Sequence, residues 1–255
     1  MSKKIGLLLR SYAKTPEDVA GVVARAQKSI AHANSLYYPD GEAIFQAIVV
    51  LVPRDYDCGE TYRALPKEIN LFEDCDVSTL VQEASGHHSC GALNVGITIL
   101  DLSSFDYAVI ISNKAIEALT TDTMVAMLEA FDKGAKVVGV AVDELQDVVL
   151  GGRVQNTFAG WDIKALRDVG GFDSETTVEE IAPSVRLICE HGPCIAILNP
   201  KLKPTLNIRQ TAEARLHHDE IISKKLGLQQ IELDRMEADF SFIRSGILAG
   251  YPQQV

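Results

Sequence analysis

No part of this sequence is apolar for long. The longest unbroken run of hydrophobic residues is Ala47 to Val52, against the roughly 20 needed to cross a bilayer, so no transmembrane segment is expected. The opening MSKKIGLLLRSY is broken by Arg10 before it reaches the about 7–15 apolar residues of a secretory signal, and the expectation is a cytoplasmic protein. Cysteine is sparse: Cys58, Cys75, Cys90, Cys189 and Cys194 are odd in number and form no C-x-x-C pair. That pattern supports neither a disulfide framework nor a zinc knuckle. Basic residues are outnumbered, with 24 Lys+Arg against 35 Asp+Glu and a net charge of −11. A general affinity for nucleic acid, which needs a basic surface to release counterions, is therefore not expected. Glycine-rich phosphate loops are missing too. No G-x-G-x-x-G follows the first strand and no G-x-x-x-x-G-K-[ST] occurs anywhere, which argues against a dinucleotide-binding Rossmann domain and a P-loop enzyme.

What is there is an ordinary globular balance: 255 residues, 47% hydrophobic and 23% charged, enough to bury a substantial core as one large or two small domains. Lys4 to Leu9 reads as a buried strand in mid-sheet. From Thr15-Pro16-Glu17-Asp18 the pattern turns helical, with Val19, Val22, Val23, Ala26 and Ile30 on one face. Phe45 to Val52 and Tyr107 to Ile111 read as further strands, Thr120 to Phe131 as a helix and Lys136 to Val142 as the strand after it. Residues 143–160 read as a loop, Asp162 to Val169 and Val178 to Glu190 as helices, and Cys194 to Leu198 as extended. Alternating strands and helices predict an α/β fold with a largely parallel sheet. Residues 1–205 form the main domain in this reading, and charged helical sequence makes 206–255 a C-terminal helical extension.

Such a sheet receives ligands at the carboxyl ends of its strands. The informative positions are then Arg10-Ser11-Tyr12, Pro53-Arg54-Asp55, Ser112-Asn113-Lys114 and the 143–160 loop.

The second half carries a more specific pattern. The segment from Gly160 to Asp173 ends in Val169-Gly170-Gly171-Phe172-Asp173, and is followed by Glu179-Glu180 and by Val185-Arg186-Leu187. This resembles the GT-A fold glycosyltransferases of family 2, nucleotide-diphospho-sugar transferases whose acceptor side reads as V-G-G-F-D, then E-D, then a helix with R-L. Gly91 to Ile97 is similar to that family's a-R-N-x-G-I helix, keeping Asn94 and Gly96 but carrying Leu93 for the arginine. Phe105 to Ile111 is similar to the strand that leads into its Asp-x-Asp motif. Together the segments span roughly residues 4–200 in the family's order.

The resemblance implies a transferase that moves a sugar from a nucleoside-diphosphate donor to a carbohydrate or other hydroxyl acceptor, with inversion. Glu180 stands at the family's general base, with Glu179 before it; a carboxylate there takes the proton from the attacking hydroxyl. The plain alternative is a pair of exposed helix-start acids, favoured by the helix dipole. Trp161 lies in the segment that borders the acceptor, either to stack on a sugar or as core.

Departures gather on the donor side. Ser112, Asn113 and Lys114 occupy the place of Asp-x-Asp, whose aspartates hold a divalent ion in the family, and neither Ser nor Lys is an anionic ligand for Mg²⁺ or Mn²⁺. The expectation is weak or no metal dependence, with the Lys114 ammonium, beside Arg10 or Arg54, pairing with the diphosphate. P-x-Y-N becomes Arg10-Ser11-Tyr12-Ala13, and D-D-G-S becomes Pro53-Arg54-Asp55-Tyr56, in which Asp55 is left to bind base or ribose. His87-His88 and His217-His218 could assemble a metal site, and the resemblance singles out His217 or His218 as a C-terminal metal ligand. The second reading of these losses is a non-catalytic relative that keeps the fold for binding or assembly. The apolar surplus of the C-terminal helix, Ile221, Ile222, Leu226, Leu228, Ile231, Leu233, Met236, Phe240, Phe242 and Ile243, is expected to pack on the domain or to form a homodimer.

Overall fold

Strand order, more than strand number, decides where a ligand meets an α/β sheet, because the crevice opens where neighbouring strands send their chains to opposite faces. The structure is a computed structural model and describes residues 3–11, 13, 15–53, 63–64, 78–84, 88–142, 154–176, 178–200 and 212–255. Tyr12, Arg54, Asp55 and His87 lie outside the described residues.

Among the described residues eight strands form one sheet: β1 (Ile5–Arg10), β2 (Ala47–Pro53), β3 (Ser78–Ala84), β4 (Tyr107–Ser112), β5 (Val137–Val140), β6 (Phe158–Asp162), β7 (Ile195–Asn199) and β8 (Gln253–Gln254). Their order is β3-β2-β1-β4-β6-β5-β7-β8. β6 runs antiparallel to both β4 and β5, and the remaining pairings are parallel. The helices are α1 (Val19–Asn34), α2 (His88–Leu102), α3 (Thr121–Asp132), α4 (Ile163–Asp168), α5 (Ile181–His191), α6 (Ala212–Arg235) and α7 (Phe240–Ser245). The sheet is thus mixed and mostly parallel: the alternation of strands and helices predicts the parallel pairings, and a mixed, mostly parallel sheet in a three-layer α/β/α sandwich is what the GT-A resemblance implies.

Strand alternation divides the apolar residues between two cores. Leu7 and Leu9 of β1, with Val109 and Ile111 of β4, face α1 and α3. Leu8, Ala108 and Ile110 face α2, α4 and α5. Both faces are covered, which is why these strands read as continuous apolar runs. Close approach of α2 depends on Gly6. A Cβ there would stand 2.3 Å from Leu100 Cδ2, so the missing side chain lets the helix rest on the strand.

The C-terminal extension does more than append a helix. Leu228, Leu233, Met236, Phe240, Phe242 and Ile243 pack on the core beneath α2, α4 and α5. The chain then returns to the sheet, where Ile247 bridges to Ile195 and β8 pairs with β7. Leu216 and Ile231 remain exposed. Glu232 of α6, 0% exposed, ties the extension down: its Oε2 accepts from Ser174 Oγ at 3.0 Å and its Oε1 from Arg235 Nε at 2.8 Å.

Glu232→Ala removes these bonds and takes that acceptor from Ser174 Oγ, whereas Arg235, 25% exposed, keeps Asp173. The substitution is expected to destabilise the protein by about 1–3 kcal/mol, read as a lowered urea midpoint. An unchanged midpoint would show that Glu232 holds nothing in place.

Candidate functional site

β1 and β4 are neighbours, yet the chain leaves β1 for α1 on one face and reaches β4 from α2 on the other. Their carboxyl ends are therefore the topological switch point of the sheet. A cavity of about 390 Å³ opens there, lined by Arg10 and Ser11 at the end of β1, Ser112, Asn113 and Lys114 at the end of β4, Asp18 just before α1, and Val22 and Arg25 of α1. Five of the residues expected from the sequence, Arg10, Ser11, Ser112, Asn113 and Lys114, are brought to this one place.

Three cations, Arg10, Arg25 and Lys114, face a single carboxylate, Asp18, in this lining. The N-terminus of α1 adds the positive end of its dipole. The wall is held by short-range bonds: Asn113 Nδ2 donates to Ser11 Oγ at 3.0 Å, and Ser112 caps the turn after β4 by accepting from the Lys114 N–H at 3.4 Å. Such a lining suits an anion. It does not suit Mg²⁺ or Mn²⁺, since a hydroxyl, an amide and an ammonium stand where carboxylate ligands would be needed. Among the described residues no three His, Cys, Asp or Glu side chains group as a metal site. The side chains of His88, His217 and His218 lie outside the described residues.

Arg10 connects the cavity to the acidic pair. Its Nη1 donates to Glu179 Oε1 at 2.6 Å and its Nη2 to the Asn156 carbonyl at 3.3 Å. Glu179 is 3% and Glu180 6% exposed, so the pair does sit at the start of a helix, α5, but inside the protein rather than in water. Burial first, and then the neighbouring Glu179 charge, push the Glu180 carboxyl up from its ordinary 4.5 to about 8, with Lys225 and Arg10 acting in the opposite sense.

The motifs around the pair form its mount. Asn94 of α2 grips the backbone of Phe172, donating to its carbonyl at 2.8 Å and accepting from its N–H at 2.9 Å. Gly171 has φ +74° and leaves only 2.8 Å between a built Cβ and Asn94 Oδ1, so glycine is required there twice over. Asp173 accepts from Arg186 Nη2 at 2.6 Å, and that bond holds its carboxyl below the ordinary carboxylate range. The same guanidinium donates to the Val169 carbonyl at 3.2 Å. Asn94 is thus engaged with the protein's own backbone rather than lining the cavity.

Trp161 is a core residue. It is 0% exposed, meets Phe172 edge-on at 5.1 Å between ring centroids and donates from Nε1 to Asn156 Oδ1 at 2.8 Å. Of the two readings of this ring, stacking on a sugar or packing as core, its burial supports the core, because β6 runs through the middle of the sheet. Sequence reasoning singled out neither Asp18 nor Arg25, which share a face with Val22 at i, i+4, i+7 across the start of α1, a signal that was available. Asn156 falls in the 143–160 loop already marked as informative, without being distinguished from its neighbours there.

No protein-family model matches the sequence, and none of the curated proteins does. Solved structures do resemble the fold, which is that of GT-A-type nucleotide-diphospho-sugar transferases. A mannosyltransferase from Pyrobaculum calidifontis in complex with GDP-Man and Mn²⁺ has TM-score 0.56 and 13% identity, over 76% of this chain and 57% of its own. This chain therefore spans a little over half the length of that protein. A 4-diphosphocytidyl-2C-methyl-D-erythritol synthase from Anaerococcus prevotii has TM-score 0.49 and 10% identity over 87% and 99%. A putative nucleotide-diphospho-sugar transferase from Desulfovibrio desulfuricans has TM-score 0.49 and 10% identity over 97% and 100%. No helix among the described residues is long and apolar enough to cross a membrane.

The raised Glu180 value has a sign in stability. A group whose folded value lies above its unfolded one contributes fully below about pH 4.5 and loses that contribution as pH rises through about 8. Glu180→Gln, which stays neutral, is expected to gain stability relative to the parent as pH is raised from about 5 to about 9 in urea titrations. A difference that does not change with pH would mean Glu180 titrates as it does in the unfolded chain.

Proposed function

We propose that this protein is a transferase acting on a nucleoside-diphosphate-linked donor, with the diphosphate held in the cavity between β1 and β4 and a sugar passed to an acceptor hydroxyl with inversion. The observation that carries the reading is the cationic cavity at the switch point, joined through one guanidinium to a buried acidic pair. In this reading Arg10, Arg25 and Lys114 compensate the charge that develops on the leaving diphosphate, as preorganised cations do in a site of low polarity. Ser11 and Asn113 orient the donor from the same wall, and Tyr12 and Asp55 are assigned to the donor side by their chain positions alone. Glu180 is the base that receives the acceptor's proton, with Glu179 setting its charge state; a value near 8 makes it a strong base that is ionised in only a fraction of molecules at neutral pH.

Divalent metal is not assigned a role. The mannosyltransferase whose fold this chain shares is described with Mn²⁺, whereas here Lys114 occupies the end of β4. A second reading, a non-catalytic protein that binds a nucleotide on the same scaffold, is favoured by one observation. Glu180 is enclosed by the protein, whereas a base must reach its substrate.

Thermal unfolding against UDP, GDP, CDP, dTDP and their sugars, with Mn²⁺ or EDTA, tests the donor site. One nucleotide is expected to raise the melting temperature, to do so in EDTA, and to lose about tenfold or more in affinity in Lys114→Ala. A shift that needs Mn²⁺ would overturn metal-free binding, and no shift with any nucleotide would overturn the donor site. With a donor in hand, Glu180→Gln is expected to lower kcat by about 10²-fold or more while leaving nucleotide affinity in place. Unaltered turnover would remove Glu180 from the reaction, and absence of turnover in the parent with bound nucleotide would favour the binding protein.

A further inference from the structure

Arg10 has two claims on it. It lines the cavity, and its Nη1 is bonded at 2.6 Å to Glu179, whose side chain is 4% exposed against 20% for Arg10. An anion entering the cavity meets a guanidinium that a buried carboxylate already holds. We infer that Glu179 is an internal counter-ion which an anionic ligand of the cavity displaces from Arg10, so that binding draws a proton from solvent into the Glu179–Glu180 pair. This rests on the reading of the cavity as an anion site, and does not require Glu180 to act as the base.

The surroundings of the pair leave few other ways to balance the charge. Cations that act on Glu180 are Lys225 of α6 and Arg10 of β1, and Arg10 alone is seen bonded to Glu179 among the described residues. Among the described residues Asp173 and Glu232 add further negative charge, and the Cys90 thiol of α2 is pushed up to about 12 by burial and by the charges of Glu179, Glu180, Asp173 and Glu232. The guanidiniums on that side are committed elsewhere, Arg186 to Asp173 and Arg235 to Glu232 and Asp173. A buried carboxylate that loses its cation is strongly unfavourable, and protonation is its cheapest remedy. The ligand's oxygen replaces Glu179 Oε1 as the acceptor of Arg10, and one proton leaves a solvent or buffer acid, breaking its bond there, and forms one O–H bond on a carboxylate of the pair.

Two consequences distinguish this from a passive pocket. Anion affinity falls as pH rises, by up to about tenfold per unit where a whole proton is taken up. Removing the internal competitor strengthens binding: Glu179→Gln keeps a hydrogen-bond acceptor for Arg10 but no charge, and is expected to bind about tenfold tighter.

The experiment is calorimetric titration of the full chain with inorganic pyrophosphate at about pH 8, in two buffers of different ionisation enthalpy, for the parent and for Glu179→Gln. The ligand's own proton change is common to both proteins, so the difference between them reads the protein's share. Extra proton uptake in the parent, together with tighter binding by the variant, is the expected result. Equal affinity and equal uptake would overturn the inference while leaving the anion site standing. Failure of both proteins to bind pyrophosphate would overturn the anion site and the inference with it. Should Glu179→Gln not fold, the parent is titrated with sulfate, whose charge is constant near neutral pH. Affinity that falls with pH supports the exchange, and flat affinity from about pH 6 to about pH 9 overturns it.

Discussion

The ion pair between Arg10 and Glu179 joins residues 169 positions apart, and the arrangement of the site depends on it. Arg10 is delivered by a central strand whose position is set by apolar packing on both faces. Glu179 is delivered by the turn before α5, a segment with no sheet partner of its own. Burying a carboxylate there is tolerable only because a guanidinium reaches it, since desolvation of an unpaired charge would exceed what local packing returns. The same contact puts a cation where the cavity opens. One pair thus serves the interior and the ligand site together.

Around that pair the motif residues of the sequence turn out to be structural grammar. Asn94 bonds both polar groups of the Phe172 backbone, Arg186 bonds Asp173 and the Val169 carbonyl, and Glu232 closes the far side through Ser174 and Arg235. Each partner satisfies a polar group that burial would otherwise leave without water. The result is a rigid mount for Glu179 and Glu180 built from four separate elements. A fully bonded network of this kind makes one arrangement of the acidic pair much more favourable than its alternatives.

The strands at the centre were legible because both of their faces are buried, so β1, β2, β4 and β7 stand out as apolar runs bounded by polar residues. Phe158 to Asp162 was not, because FAGWD is short and carries a glycine, and an antiparallel strand between two others has no signature of its own. Ser78 to Ala84 and the two-residue β8 were missed for a related reason: their pairing is supplied by neighbours rather than by their own pattern. Trp161 illustrates the cost. With β6 read as loop, its ring could either meet a ligand or pack as core; with β6 in the sheet, the ring packs on Phe172.

By itself the sequence determined the α/β class, the central strands, the excess of negative charge and the cationic character of the β1 and β4 ends, because composition and short-range periodicity express burial directly. It also carried the acidic pair and the motif that mounts it. Only the tertiary structure decided that Arg10 would meet Glu179, that Arg25 would join Lys114 across one cavity, and that Glu180 would be enclosed rather than solvated. Those facts depend on which strand lies beside which, and on a C-terminal segment that returns to the sheet edge. Contacts between residues more than a hundred positions apart leave no trace in local pattern, and the ionisation of a carboxyl follows its surroundings rather than its place in the chain.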